Sequence, residues 1–259
     1  MGGESATRTA PRTGGGTGKG PVGSRTGQRL SGLAVALGLV LFLGGFGWGA
    51  VVYRPYTVPT SSMTPTIDAG DRVLAQRVDG DEVHRGDVVV FTDKTWVTNA
   101  PVVKRVVAVG GDTVSCCTNG KLVVNGKQIT EDYLKGGAAE DKSIPAVKVP
   151  KGRLFLLGDE RQGSLDSSAH LTDVASGTVA NSAVSARVDA VVWPMKGMLE
   201  RPTAFEPLGS LSHPGPLGTI LAVIVAGGVL VLGGGAYGPI AKLAAGRRAR
   251  TRTEPAGAR

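Results

Sequence analysis

Metal-binding side chains are scarce in this chain, which has two cysteines and three histidines among its 259 residues. A structural zinc site needs about four such ligands at short spacings. These side chains lie scattered along the chain, apart from one adjacent pair: Cys116, Cys117, His84, His170 and His213. The sequence therefore predicts no metal site, and we expect no cofactor.

The two cysteines are neighbours, at positions 116 and 117. Across a trans peptide their Cα atoms lie about 3.8 Å apart, closer than the usual disulfide range of about 4.4–6.8 Å. A strained disulfide between neighbours is one alternative outside the cell. We expect instead two small side chains that are buried or oxidised.

The net charge of +8 is concentrated at the two ends of the chain. Residues 1–53 carry +4 and residues 214–259 carry +5, whereas residues 54–213 carry −1. A nucleic-acid-binding protein would carry its basic residues on the folded domain. Positive charge beside apolar segments is instead typical of the cytoplasmic flanks of membrane spans, so we expect no nucleic-acid partner.

Two long uncharged segments, residues 30–53 and 217–240, lie next to the basic ends. Each has 24 residues. A helix of this length, rising about 1.5 Å per residue, crosses a hydrocarbon core of about 30 Å. We therefore predict two transmembrane helices in a lipid bilayer, with both termini cytoplasmic and residues 54–213 outside the cytoplasm. Both segments are rich in glycine, so the two helices are predicted to pack together.

A cleaved signal peptide is the alternative interpretation of the first segment. Such peptides have a shorter apolar region and small residues one and three positions before the cut. Trp48 is the third residue before a cut after Ala50, which argues for retention, although a cut after Gly49 stays open. Outside the spans, residues 1–29 are predicted to be a disordered cytoplasmic tail and residues 241–259 a basic cytoplasmic tail.

The middle of the chain, residues 54–213, is predicted to be an all-β domain. Short runs of β-branched and apolar residues alternate there with Gly, Asp or Pro, which is the pattern of strands. The Asn-Gly pair at 125 and 126 is typical of a two-residue hairpin turn. Outside the two spans we predict no helix of ten or more residues. The predicted strands are residues 72–78, 87–91, 104–109, the hairpin 122–129, and residues 153–157 and 186–192.

Residues 58–67, which begin four residues after Arg54 at the end of the first apolar segment, combine two prolines, three threonines and two serines. The prolines fix φ and remove N–H donors, so they predict a stiff loop rather than a helix. A stiff loop suits a serine nucleophile, for which Ser61 and Ser62 are the candidates. A membrane-proximal linker of the same composition is the alternative.

A serine nucleophile needs a base, and Lys104 is the best candidate among the residues. It lies in a run of valines, where burial would lower the pKa of a lysine so that its neutral amine accepts a proton near pH 7. Alternatively, Lys104 or Arg105 is simply the solvent-facing residue of a half-buried strand. His170 follows Asp166 by four residues, but nothing near it in the sequence fixes its orientation.

Four stretches resemble, in order, the motifs of type I signal peptidases, the membrane-bound serine proteases that remove signal peptides. Residues 59–66 resemble the nucleophile motif, and residues 85–91 the Gly-Asp strand of the family. Residues 104–112 resemble the lysine motif and residues 158–167 the last motif. The resemblance covers about residues 50–195, and the two spans resemble those of actinobacterial, Gram-positive members.

The resemblance implies a Ser/Lys dyad with Ser62 as the nucleophile and Lys104 as the general base. It implies that the Ser164 hydroxyl orients the Lys104 amine. Thr60 would supply a side-chain donor to the oxyanion hole, beside the backbone N–H of Ser62. Such a dyad is a known variant of the serine triad and needs no carboxylate.

The charged residues near the dyad are expected to be structural. By the resemblance, Asp166 holds Arg105 in an ion pair, while Asp159 belongs to a turn or strand end. Two residues depart from the family pattern: Glu160 stands where Asn is usual, and Ser168 where many members have Arg. These departures leave the ion pairing around Asp166 open.

The substrate implied by the resemblance is the signal peptide of a secreted preprotein, bound in extended form as an added strand. Shallow apolar pockets would accept small side chains one and three residues before the cut. The expected pocket residues are Tyr56, Val58, Pro59, Ile67, Val102 and Val103. The export translocon is a further candidate partner.

Two other functions stay open. A related Ser/Lys protease would cut one dedicated substrate or itself. A catalytically silent, membrane-anchored β domain would instead bind secreted or cell-wall proteins. Failure to cleave several different preproteins would favour the silent domain.

Overall fold

The structure is a computed structural model that describes residues 25–97, 100–134 and 143–251. It has two compact units: residues 44–223, and the helical segments up to Leu43 and from Ile224. The described residues form helices α1 (Arg25–Val52) and α2 (Leu217–Thr251) and twelve strands between them. The strands are β1 (Tyr53–Thr57), β2 (Arg72–Gln76), β3 (Val88–Phe91), β4 (Val102–Val109), β5 (Thr113–Thr118), β6 (Lys121–Val124), β7 (Lys127–Ile129), β8 (Ile144–Lys148), β9 (Arg153–Leu157), β10 (Val179–Ala180), β11 (Val184–Trp193) and β12 (Gly197–Met198).

The catalytic candidates lie in the unit of residues 44–223, which is built on two antiparallel sheets. The large sheet has the order β1-β2-β11-β3-β4-β9-β10, with β12 paired to β11, and the small sheet has the order β7-β6-β5-β8. The described residues between the two α-helices contain 3-10 turns but no α-helix. The all-β prediction for this domain is confirmed.

Strands formed where local sequence patterns were strong. β3, β4, β9 and β11 overlap predicted runs, and the predicted hairpin joins β6 to β7. Its turn residues Asn125 and Gly126 have φ of 52° and 76°, which is the left-handed turn that such hairpins need. Strands β1, β5, β8, β10 and β12 were not predicted. Pro55 and Pro145 interrupt the pattern of β1 and β8, but both are edge strands, where a missing N–H is tolerated.

The loop of residues 58–67 is held by the core beneath it. Val58, Met63 and Ile67 are buried in one apolar cluster with Val73 and Val188 of the large sheet. Full burial of such side chains contributes about 1.5–3 kcal/mol each. The loop is therefore part of the folded domain, and its interpretation as a membrane-proximal linker is wrong.

The cysteines differ from the expectation. Cys116 and Cys117, in β5, are joined by a disulfide. The peptide bond between them is cis. The expectation was two small side chains, buried or oxidised, without a bond between them. That expectation is wrong, and the disulfide alternative is present.

Helix α1 begins at Arg25, five residues before the predicted span, and Tyr53 already belongs to β1. Residues 25–29, predicted as disordered, are helical, because extending an existing helix costs less than nucleating one. In the same way α2 continues beyond the predicted span to Thr251. The rest of the predicted tails, residues 1–24 and 252–259, lies outside the described residues.

Both α-helices are long and apolar enough to cross a membrane by length and composition. In the helical unit, Ser31 Oγ donates a hydrogen bond to the Gly234 carbonyl at 2.7 Å. A Cβ atom at Gly38 would lie 2.8 Å from the Gly227 carbonyl oxygen, so this close approach needs glycine. The predicted packing of the two glycine-rich helices is confirmed, while the orientation of the termini stays a prediction.

Candidate active site

Ser62 lies in a tight turn of the loop that follows β1. The turn is closed by hydrogen bonds from the Thr64 N–H to the Ser61 carbonyl at 3.0 Å and from the Ile67 N–H to the Met63 carbonyl at 2.9 Å. Met63, the next residue, is buried, while Ser62 is half-buried. A side chain held in this way can face a substrate without losing its position.

Lys104 reaches Ser62 from strand β4. Its side chain is only 3% exposed, and its Nζ donates a hydrogen bond to Ser62 Oγ at 2.6 Å. Because β4 is paired with β3 on one side and β9 on the other, its backbone is rigid. The alternative that Lys104 is a solvent-facing strand residue is wrong.

His170, the alternative candidate for the base, interacts with other residues. His170 Nδ1 lies 2.7 Å from Asp173 Oδ2, and its ring stacks on Trp96 with 4.6 Å between centroids. Its carboxylate partner is Asp173 rather than Asp166. The geometry therefore favours Lys104 over His170 as the partner of a serine.

Thr60 stands beside the nucleophile candidate. Its Oγ1 lies 3.3 Å from Ser62 Oγ, and its side chain is exposed. This position is compatible with a donor to an oxyanion that develops next to Ser62. Its role in an oxyanion hole stays a prediction.

Ser164 lies close to Ser62 because both pack against Gly158, the first residue after β9. A Cβ atom at Gly158 would collide with Ser164 Oγ and with the Ser62 carbonyl oxygen. The N–H of Glu160 donates to that same Ser62 carbonyl at 3.1 Å. Ser164 itself is 5% exposed. Glycine at 158 thus lets the last motif pack directly against the turn that carries Ser62.

The predicted ion pair between Asp166 and Arg105 is wrong. Arg105 Nε and Nη2 donate to the two oxygens of Asp159 at 2.8 and 2.7 Å, with side-chain exposures of 1% and 0%. Arg105 is opposite Leu157 in the β4–β9 pairing, so Asp159, two residues beyond, is within reach. Burial alone would lower the pKa of Arg105, but Asp159 outweighs it and raises the pKa above its ordinary value.

Asp166 and the two departures from the family pattern have local partners. Asp166 accepts hydrogen bonds from the Gly158 N–H at 3.0 Å and from Ser168 Oγ at 2.6 Å. The carboxylate of Glu160 accepts from the Gly163 N–H. Ser168 and Glu160 therefore stabilise the loop that carries Ser164.

A second buried ion pair was not anticipated from the sequence. Arg161 donates to both oxygens of Glu131, with Nη1 2.8 Å from Oε2. Tyr133 donates to the same carboxylate, and its ring lies 4.1 Å from the Arg105 guanidinium carbon. Glu131 lies in a turn that is distant in sequence from the four motifs. No pattern in the sequence predicts that it pairs with Arg161.

The six predicted pocket residues do not all lie together. Tyr56, Val58, Ile67 and Val103 belong to or pack against one apolar cluster, which also holds Met63. Pro59 is exposed beside them. Val102 packs against a different cluster, because successive side chains of a strand point to opposite faces. Their contact with a substrate stays a prediction.

Residues 30–193 match the family model described as signal peptidase, peptidase S26. Over 193 residues the chain is 32% identical to signal peptidase I of Mycobacterium tuberculosis H37Rv, covering 55% of this chain and 66% of that protein. Over 157 residues it is 33% identical to signal peptidase I of Bacillus amyloliquefaciens, covering 57% and 77%. The chain thus spans just under two thirds of the mycobacterial protein's length.

A crystal structure of a signal peptidase I from Enterococcus faecalis V583 is 24% identical in sequence and aligns with a TM-score of 0.32. The alignment covers 45% of this chain and 96% of that one.

Proposed function

Because the chain belongs to the signal peptidase family, peptidase S26, we propose that it is a membrane-bound serine endopeptidase that removes signal peptides from secreted preproteins after small-x-small sites. The observation that carries the proposal is the 2.6 Å contact between Lys104 Nζ and Ser62 Oγ. A buried lysine that touches one half-buried serine is the arrangement that a Ser/Lys protease needs.

The reaction would begin with proton transfer from Ser62 Oγ to the neutral amine of Lys104. The serine oxygen then attacks the carbonyl carbon of the scissile peptide, and the carbonyl oxygen becomes an oxyanion. The Ser62 N–H and Thr60 Oγ1 would donate hydrogen bonds to it. Lys104 returns the proton to the leaving amine as the C–N bond breaks, which leaves an acyl-enzyme on Ser62.

Water completes the cycle by the same route. Lys104 takes a proton from a water molecule that attacks the acyl carbon, and Ser62 leaves as its hydroxyl is reprotonated. Lys104 is only 3% exposed, so bulk water does not compete with Ser62 for its amine.

The substrate would bind in extended form beside the loop 58–67, with its small side chains against the apolar group of Tyr56, Val58, Ile67 and Val103. The positively charged ends support a topology with both termini in the cytoplasm and the catalytic domain across the membrane. The export translocon is a proposed partner, on the ground that it delivers the proposed substrate.

The test uses the detergent-solubilised full chain and a preprotein with an Ala-x-Ala site. We expect Ser62→Ala and Lys104→Met to lower the cleavage rate at least about 10³-fold, because each removes a reacting group. Ser61→Ala should keep the parent rate. Sequencing of the product's N-terminus checks that the cut follows the second small residue.

Activity that survives in Ser62→Ala would show that the nucleophile is another residue. A parent protein that cleaves none of several preproteins would favour the silent binding domain. The intact contact between Ser62 and Lys104 speaks against that alternative.

A further inference from the structure

The peptide of Gly158 is the point where the last motif meets the nucleophile turn. The space where a Cβ atom would stand at this residue is occupied by Ser164 Oγ and by the Ser62 carbonyl oxygen. A small shift of the Gly158 backbone would therefore move Ser164 relative to Ser62. Holding this peptide still is a condition for a fixed dyad.

Two buried charged side chains hold the Gly158 residue from its two ends. Asp166 Oδ2 accepts the Gly158 N–H at 3.0 Å. Arg161 Nε donates to the Gly158 carbonyl at 3.0 Å. Both side chains are buried, at 0% and 5% exposure, so water does not compete for these hydrogen bonds.

Arg161 is itself fixed by Glu131, which lies two residues beyond the end of β7 in the small sheet. The pair is bidentate, and the side chains are 5% and 2% exposed. Burial alone would lower the pKa of Arg161, but Glu131 outweighs it, so the pKa lies above its ordinary value and the guanidinium is charged. With both Nη atoms on the carboxylate, the planar guanidinium directs Nε at the Gly158 carbonyl.

We propose that Arg161, oriented by Glu131, is a positioning residue for catalysis: it fixes the Gly158 peptide and through it the place of Ser164 beside Ser62 and Lys104. The small sheet thereby contributes to the geometry of an active site whose reacting groups lie on the large sheet and its loops. This inference rests on the proposed peptidase function.

The central variant is Arg161→Lys, and Arg85→Lys is its matched control. Arg85 also makes a bidentate pair with a carboxylate, with 2.7 and 2.6 Å to Asp112, and also donates to a backbone carbonyl, that of Leu208 at 3.0 Å. Its hydrogen bonds among the described residues go to Asp112 and Leu208, and none goes to Gly158, Ser62 or Ser164. Lysine preserves the charge in both variants but lacks the planar set of donors.

Preprotein cleavage and thermal unfolding are measured for the full chain in detergent. We expect Arg161→Lys to lower kcat about tenfold with KM within about twofold, because the loss lies in the alignment of reacting groups rather than in substrate binding. Arg85→Lys should lower the unfolding temperature by a similar amount and leave kcat within about twofold of the parent.

A second measurement separates positioning from a general loss of structure. If Arg161 acts through Ser164, then Arg161→Lys should cost less than about twofold in a Ser164→Ala background, because coupled residues are not additive. An undiminished tenfold loss in that background would overturn the proposal, as would equal kcat values for Arg161→Lys and Arg85→Lys.

Glu131→Gln provides the same test from the small sheet and keeps the side-chain shape. It should reproduce the fall in kcat, and a parent-like kcat in this variant would contradict the role of Glu131. A parent that cleaves while these variants behave like the control refutes this inference alone. A parent that never cleaves refutes the proposed function itself.

Discussion

Arg105 is a buried charge in strand β4, one residue after Lys104. Asp159 neutralises it through two hydrogen bonds of 2.7–2.8 Å. Thr66, in the loop of residues 58–67, donates to the same carboxylate. The ion pair therefore connects strand β4, the end of β9 and the loop that carries Ser62.

Asp159→Ala should lower the free energy of unfolding by about 3–5 kcal/mol, because it leaves the Arg105 guanidinium buried without its counter-charge. The measurement is thermal unfolding of the full chain in detergent. Replacing both partners, as Arg105→Met with Asp159→Leu, should cost clearly less than Asp159→Ala. If Asp159→Ala were as stable as the parent, the ion pair between Arg105 and Asp159 would not form in the protein.

Asp112 links the two sheets at the short connection between β4 and β5. Its carboxylate accepts hydrogen bonds from Arg85, from the Val109 N–H at 2.8 Å and from Asn125 Nδ2 at 2.8 Å. These donors belong to the turn before β3, the end of β4 and the β6–β7 hairpin. One buried carboxylate thus connects these three segments of the domain.

The pKa of Asp112 determines a pH dependence of stability. Burial alone would raise this pKa, but the hydrogen bonds from Arg85, Val109 and Asn125 lower it below the ordinary value of 3.8. The carboxylate therefore stabilises the fold above about pH 4, and this stabilisation is lost as the pH falls through the depressed pKa. Asp112→Asn should be less stable than the parent at pH 6, with a difference that shrinks below pH 4.

Unfolding temperatures of the parent and Asp112→Asn between pH 6 and pH 3 check this expectation. Asp132→Asn is the control, because Asp132 is exposed. A difference that stays constant over this range would show that Asp112 acts through packing and not through its charge.

The two α-helices contact each other through small residues. Ser31 donates to the Gly234 carbonyl at 2.7 Å, and a Cβ atom at Gly227 would lie 2.8 Å from the Gly38 carbonyl oxygen. Small residues allow such backbone contacts, and hydrogen bonds between helices add about 1 kcal/mol each in a membrane.

A cysteine pair at Ser31 and Gly234 should therefore cross-link within one chain under mild oxidation. Since the two native cysteines are joined to each other, the introduced pair supplies the reactive thiols. Leu33 and Leu232 are both well exposed and give the control pair. The readout is the mobility of the unreduced chain on a gel, and cross-linking of the control pair alone would refute the observed packing.

Local sequence determined much of this protein. Periodicity and turn residues were enough for β9, for the β6–β7 hairpin and for both long apolar helices. The resemblance of four motifs to a known family selected Ser62 and Lys104, which lie 42 residues apart in the chain and 2.6 Å apart in the fold. These features depend on residues close to one another in sequence or on short motifs, so they could be predicted.

Tertiary structure decided the rest. Strands β1 and β8 contain proline, which is tolerated because both lie at sheet edges. A strand's place in a sheet is not a local property. Asp159 pairs with Arg105 over 54 residues, and Glu131 pairs with Arg161 over 30. From the sequence alone, any of several carboxylates could form the ion pair with each of these arginines. Strand register and burial determine which one does, because only a carboxylate that is buried next to the guanidinium can neutralise its charge.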